Sequence, residues 1–115
     1  MSFGQRFTIT PLHLITAVSA IANDGILMQP RIVKEIVNSD TGVVTSIPTV
    51  QVRQVISKET SETMRDLMES VVTDGTGGYA KVAGYSVGGK TGTSEPSPGK
   101  EEEGYTASYV AISPT

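Results

Sequence analysis

Gly84-Tyr85-Ser86-Val87-Gly88-Gly89-Lys90-Thr91-Gly92-Thr93 is the stretch whose reading decides the fold. Gly84, Gly89, Lys90 and Thr91 satisfy the phosphate-loop spacing G-x-x-x-x-G-K-[ST], in which a glycine-rich turn leads from a strand into a helix. Lys90-Thr91-Gly92 also suits a strand, because Tyr85 and Val87 alternate with Ser86 and Gly88 at the two-residue period. The two readings require different local structures at the same lysine.

The residues after Thr91 separate them. A phosphate loop needs a helix beginning at its Lys-Thr, whose N-terminal N–H groups hold the anion. Here Gly92-Thr93-Ser94-Glu95-Pro96-Ser97-Pro98-Gly99 follows, and two prolines within the first turns would remove donors and clash with preceding carbonyls. In a strand, Lys90 and Thr91 point to opposite faces, Gly92 carries no side chain, and Thr93 returns to the face of Thr91. One donor-rich edge results, suited to an anion or oxyanion. On the triplet alone, K-T-G is equally an ordinary glycine-rich strand end.

The chain has 115 residues, enough for one small domain or a piece of a larger one. Its net charge of −3 gives no basic footprint for nucleic acid. Glu101-Glu102-Glu103 is contiguous, which suits a solvated loop better than a metal site. Cysteine is absent and His13 is the single histidine, so no thiolate or multi-histidine metal centre and no cofactor are expected. No apolar run reaches bilayer length and the N-terminus lacks a basic-then-apolar leader, so no membrane segment is expected and the chain reads as soluble.

Thr10-Pro11 with Leu12, Leu14, Ile15, Val18, Ile21 and Ala22 predicts a capped helix from Pro11 to about Asn23, stopped by Asn23-Asp24-Gly25. His13 lies in its first turn and reads as a surface residue. Arg31 to Val37 and Val43 to Thr45 predict a hairpin about Asp40-Thr41-Gly42, and Val50 to Ile56 a short extended piece of unassigned partner. Ser57 caps a second helix that runs to near Gly75, with Met64, Leu67, Met68, Val71 and Val72 on its apolar face. The motif strand, a polar loop from Ser94 to Gly104, and an antiparallel strand from Tyr105 to Ile112 complete the chain.

In that order, Ser2-Phe3-Gly4-Gln5, Thr10-Pro11-Leu12 with Leu14, Ala22-Asn23-Asp24-Gly25 with Pro30, Val71-Val72 with Asp74-Gly75-Thr76-Gly77, Ala83-Gly84-Tyr85, Gly89-Lys90-Thr91-Gly92-Thr93 and Tyr109-Val110-Ala111 with Pro114 carry a resemblance. It is to the transpeptidase domain of class B penicillin-binding proteins, the division and sporulation kind, and it covers nearly the whole chain. The resemblance implies an α+β fragment of the penicillin-binding and serine β-lactamase-like fold, with antiparallel strands packed against helices. It implies a serine acyltransferase that crosslinks peptidoglycan stem peptides and is trapped by β-lactams. By resemblance, Lys90 supports proton transfer and carboxylate binding, the Thr91 and Thr93 hydroxyls hold the carboxylate, Gly92 lets substrate backbone approach, and the Thr93 backbone N–H is an oxyanion donor.

The family's S-x-x-K and S-x-N motifs belong before K-T-G and are missing: no Ser-x-Asn occurs, and Ser97-Pro98-Gly99-Lys100 is the one Ser-x-x-Lys. Residues 1–115 therefore read as the C-terminal portion of a transpeptidase domain, cut at both ends and inactive alone. The resemblance implies a membrane-anchored, extracytoplasmic parent. Two other classes stay open, a nucleotide-binding module and a non-catalytic interaction domain that self-associates through exposed strand edges.

Overall fold

The computed structural model describes residues 8–115, so Ser2-Phe3-Gly4-Gln5 lies outside the described residues. Thr10 caps helix α1 (Pro11–Ala22), its hydroxyl accepting the His13 N–H at 3.2 Å. Proline enters the first turn, where the missing N–H would have had no intrahelical partner. The helix stops at the expected Asn23-Asp24-Gly25, where Asp24 at φ 52° and Gly25 at φ 82° swing the chain into strand β1 (Ile26–Met28). His13 is exposed.

Strands β2 (Glu35–Val37) and β3 (Val44–Ser46) form the expected hairpin, paired antiparallel from Glu35↔Ser46 to Val37↔Val44. The Asn38 carboxamide oxygen closes its turn by accepting the Asp40 and Thr41 N–H groups at 2.9 and 3.2 Å. The hairpin is shorter than the β-rich run implied. Residues 31–34 stay outside β2, and Arg31 instead reaches across to donate to the Ile47 carbonyl. Strand β4 (Gln51–Gln54) finds its partner in β1, which sequence patterning did not pick out because three residues are too few to show a period.

Ser57 caps helix α2 (Lys58–Asp74), its hydroxyl accepting the Thr60 N–H at 3.1 Å, and Gly75 follows its last turn. The inward stripe is Ser61, Arg65, Met68 and Val72, spaced i, i+4, i+7, i+11. The expected stripe is rotated from this one: Met64 and Leu67 are exposed, and two polar residues take the inner face of the N-terminal half. The cause is the end of α1, whose last carbonyls need donors. Fully buried Ser61 donates to the Ile21 carbonyl, and Arg65 Nη1 donates to that carbonyl at 2.9 Å and to Ser61 Oγ at 2.8 Å. Arg65 Nη2 pairs with Asp24 Oδ1 at 3.2 Å.

After a one-turn 3-10 helix at Gly78–Ala80 come β5 (Gly88–Ser94) and β6 (Thr106–Ile112), antiparallel from Gly88↔Ile112 to Ser94↔Thr106. The expected alternation at Tyr85 and Val87 is not strand. Gly84 at φ 85° makes a turn there, and β5 begins only at Gly88. The Ser94 to Gly104 loop is polar and exposed apart from half-buried Pro96, with one 3-10 turn at Glu101–Glu103.

The result is α+β, with antiparallel strand pairs packed on helices. The core is small: Ala20, Met68, Val72 and Ile112 are its buried apolar side chains among the described residues. The expected apolar face of α1 is only partly covered, since Leu12, Leu14 and Ile15 are exposed. With a radius of gyration of 18.2 Å, the chain is far more extended than the roughly 13 Å of a compact domain this size. Much apolar surface on α1, α2 and the β2–β3 hairpin has no cover among the described residues.

Two glycines separate conformation from space. Gly42 at φ 71° has nothing within 4 Å of where a methyl would stand, whereas a methyl on Gly25 would run into the Ile56 carbonyl and meet Gln54 Nε2 at 2.8 Å. Gly42→Ala is expected to cost about 1–2 kcal/mol of left-handed strain, and Gly25→Ala more than that because backbone must also move. Urea unfolding of the two variants measures the difference, and equal losses would refute the close approach at Gly25.

Glu101 offers a pH test. Its carboxylate accepts the Gly99 N–H at 2.9 Å. That bond, then one from its own backbone, holds the carboxyl below its ordinary 4.5. A depressed value stabilises the turn above the ordinary range, and that contribution is lost as pH falls through the lowered value. The Gly99 amide resonance should move over that acid window and stay still in Glu101→Gln.

Candidate active site

The donor-rich strand is placed by two glycines facing opposite ways. A methyl on Gly88 would lie 3.0 Å from Met68 Cβ, 3.2 Å from the Glu69 nitrogen and 2.8 Å from Thr115 Cγ2. The start of β5 therefore lies backbone-to-helix against α2, a distance only glycine permits. Gly89 faces the other side, where the Tyr109 ring lies across it and leaves no room for a Cβ. Both glycines are buried, while Lys90, Thr91, Gly92 and Thr93 are exposed.

Along β5 the side chains alternate. Lys90 pairs with Val110 and Thr91 with Tyr109, on opposite faces, and Thr93 shares the face of Thr91. The Lys90 ammonium bends over the strand to the Thr91 carbonyl at 2.8 Å and approaches Thr91 Oγ1 at 3.4 Å. Among the described residues it joins no ion pair, whereas Arg65 and Lys58 pair with Asp24 and Lys100 pairs with Glu103. Gly92 faces Ser108 Oγ, which a methyl there would meet at 2.9 Å. In an antiparallel ladder alternate residues turn their backbone groups the same way, so Gly89, Thr91 and Thr93 share one direction.

Beside Thr91 lies an open, largely apolar groove of ≈ 260 Å³ lined by Thr76, Gly77, Tyr79, Ala80, Thr91 and Tyr109. The turn after α2 builds its far wall. The Val71 carbonyl accepts both the Gly75 and Gly77 N–H groups, at 3.1 and 3.0 Å, and folds that turn back toward Tyr109. Sequence reasoning missed Tyr109 as a wall residue, because its neighbour across the strands is visible only from the β5–β6 register.

The phosphate-loop reading does not survive. Lys90 and Thr91 sit in the third and fourth positions of a seven-residue strand, and no helix begins at them. The Ser97-x-x-Lys100 match does not open a helix. Ser97 lies at a turn closed by Lys100 N–H on its carbonyl at 2.9 Å, and the Lys100 ammonium is 2.8 Å from Glu103. No helix among the described residues is long and apolar enough to cross a membrane.

Four further residues secure the strand and had no sequence signal. Ser86 accepts from the Thr115 N–H at 3.1 Å on its hydroxyl and from Ser113 Oγ at 3.0 Å on its carbonyl. Thr115 in turn donates its hydroxyl to Glu69 of α2. These contacts join residues 27 to 46 positions apart, beyond the reach of local patterning.

Comparison with known proteins agrees with this geometry. Residues 1–115 match the family model of the penicillin binding protein transpeptidase domain. The chain is 42% identical to Stage V sporulation protein D of Bacillus subtilis over 98% of its own length, and spans 18% of that protein. It superposes with TM-score 0.79 and 36% identity on the D,D-transpeptidase domain of a peptidoglycan glycosyltransferase from Eggerthella lenta, covering 90% of this chain and 24% of that one. Against penicillin-binding protein A of M. tuberculosis, solved as an imipenem acyl-enzyme, the TM-score is 0.80 at 27% identity, over 98% of this chain and 25% of that one. A Lys-Thr-Gly strand set backbone-close on a helix, in a chain whose every residue falls within that family model, shows that this protein belongs to the penicillin-binding protein transpeptidase family.

Proposed function

We propose that this chain forms the K-T-G wall of a peptidoglycan D,D-transpeptidase site and that the acylating serine comes from outside these 115 residues. The observation that supports it most is the exposed Lys90 ammonium on β5, held only by Thr91 oxygens and without a carboxylate counterion among the described residues. A cation so placed, bent over the strand to the Thr91 oxygens with Thr93 two residues further along, is a receptor for a carboxylate. The substrates would be stem peptides, and β-lactams would occupy the same wall as donor mimics. The protein would act at the extracytoplasmic face of the membrane.

In this mechanism the chain's residues bind, orient and stabilise. Lys90 attracts the terminal carboxylate of the donor peptide and supports proton transfer around the attacking serine. Thr91 and Thr93 hydroxyls fix that carboxylate, which aligns the scissile carbonyl along the edge of β5. The Thr93 backbone N–H donates to the developing oxyanion, where one such donor is worth about 2.7–4 kcal/mol. Gly92 keeps that edge free of a side chain.

The uncovered apolar faces of α1 and α2 fit the same reading, since a portion of a domain leaves open what the remainder would cover. The chain alone is expected to form no covalent adduct with a fluorescent penicillin. An adduct on Ser97, read by intact mass and peptide mapping, would overturn the proposal.

In the longer transpeptidase, Lys90→Ala should lower the second-order acylation rate by about 10- to 100-fold, as expected for losing a charged hydrogen bond of roughly 1.5–3 kcal/mol. Stopped-flow acylation measures it. A wild-type rate in Lys90→Ala would remove Lys90 from the site.

A further inference from the structure

We infer that Glu69 is a positioning residue for the K-T-G strand. Its carboxylate takes the Thr115 hydroxyl, while the Thr115 N–H donates to Ser86 Oγ at 3.1 Å. Ser86 stands two residues before Gly88, and its carbonyl takes the Ser113 hydroxyl at 3.0 Å. The chain of bonds thus runs from α2, through the residues just after β6, to the residues just before β5. It closes a loop around Gly88, where the start of β5 lies against the helix.

Gly88 is the point enclosed. The position a methyl would take there is bounded on one side by Met68 Cβ and the Glu69 nitrogen, at 3.0 and 3.2 Å, and on the other by Thr115 Cγ2 at 2.8 Å. Thr115 is held in that place by its hydroxyl on Glu69 and its N–H on Ser86. Glu69 is half-buried and uses its backbone to bound Gly88 and its carboxylate to hold Thr115. Losing the carboxylate leaves Thr115 held through its N–H on Ser86 alone and loosens the seating of the β5 entry on α2, two residues from Lys90. The proposal deepens the transpeptidase reading and rests on it for its catalytic consequence, since Glu69 touches no substrate and acts through β5.

The test has two readouts. In this chain, amide hydrogen exchange at Lys90 to Thr93 in Glu69→Ala should quicken by about tenfold or more, while amides of the β2–β3 hairpin stay unchanged. Glu69→Gln, which keeps an acceptor oxygen, should remain within about twofold of wild type. Thr115→Val removes the hydroxyl at constant shape and should reproduce Glu69→Ala, and it serves where the alanine variant does not fold. In the longer transpeptidase, Glu69→Ala should slow penicillin acylation by about 10- to 100-fold, with Glu69→Gln rescuing it, since a small misplacement of a reacting wall has effects of that size. Unchanged exchange at Lys90 to Thr93 in both Glu69→Ala and Thr115→Val, or an equal rise at the hairpin amides, would overturn the positioning role. Quickened exchange confined to β5 without an acylation defect would leave the positioning standing and contradict the catalytic reading of the strand.

Discussion

The approach of the Gly88 backbone to helix α2 is the constraint on which the rest depends. Met68 and the Glu69 backbone of α2 make the seat, and burial of the Met68 side chain contributes on the order of 1.5–3 kcal/mol. A side chain at position 88 would push β5 off that seat and carry the lysine and both threonines with it. The same helix reaches the other way through Ser61 and Arg65 to the end of α1. One helix face therefore joins the two ends of the fold, polar where it meets helix carbonyls and apolar where it meets the sheet.

Charge is distributed accordingly. Arg65, only 12% exposed, is spent on structure, with Asp24 and the Ile21 carbonyl as partners. Lys58 and Lys100 sit in exposed pairs of the kind worth little to stability. Lys90 alone of these four is left facing solvent with only neutral acceptors, so its positive charge remains available to an incoming anion. The adjoining Thr91 and Tyr109 border an apolar groove, which places the Lys90 strand beside an apolar surface.

Local chemistry made much of this legible from sequence. Thr10-Pro11 and Ser57 mark the helix starts, Asp24-Gly25 and Gly75 their ends, and the prolines after Thr93 exclude a helix at Lys90. What escaped was set by distant partners. The inner face of α2 includes Ser61 and Arg65 because α1 ends beside them, forty residues away in the case of Ser61 and Ile21. β1 is visible only through its ladder to β4, and the Glu69-Thr115-Ser86 chain only through the fold. The candidate strand was readable as Lys90 to Thr93, whereas its later start at Gly88, the groove that Tyr109 borders and the glycine contacts that place it were not.

The central claim is that β5 presents its lysine and threonines to a substrate carboxylate. The most direct measurement is the structure of the longer transpeptidase acylated by a penicillin. The drug carboxylate should lie within about 2.7–3.2 Å of the Thr91 and Thr93 hydroxyls, with the Lys90 ammonium beside it. A carboxylate bound away from β5, with Thr91 and Thr93 untouched, would contradict the claim.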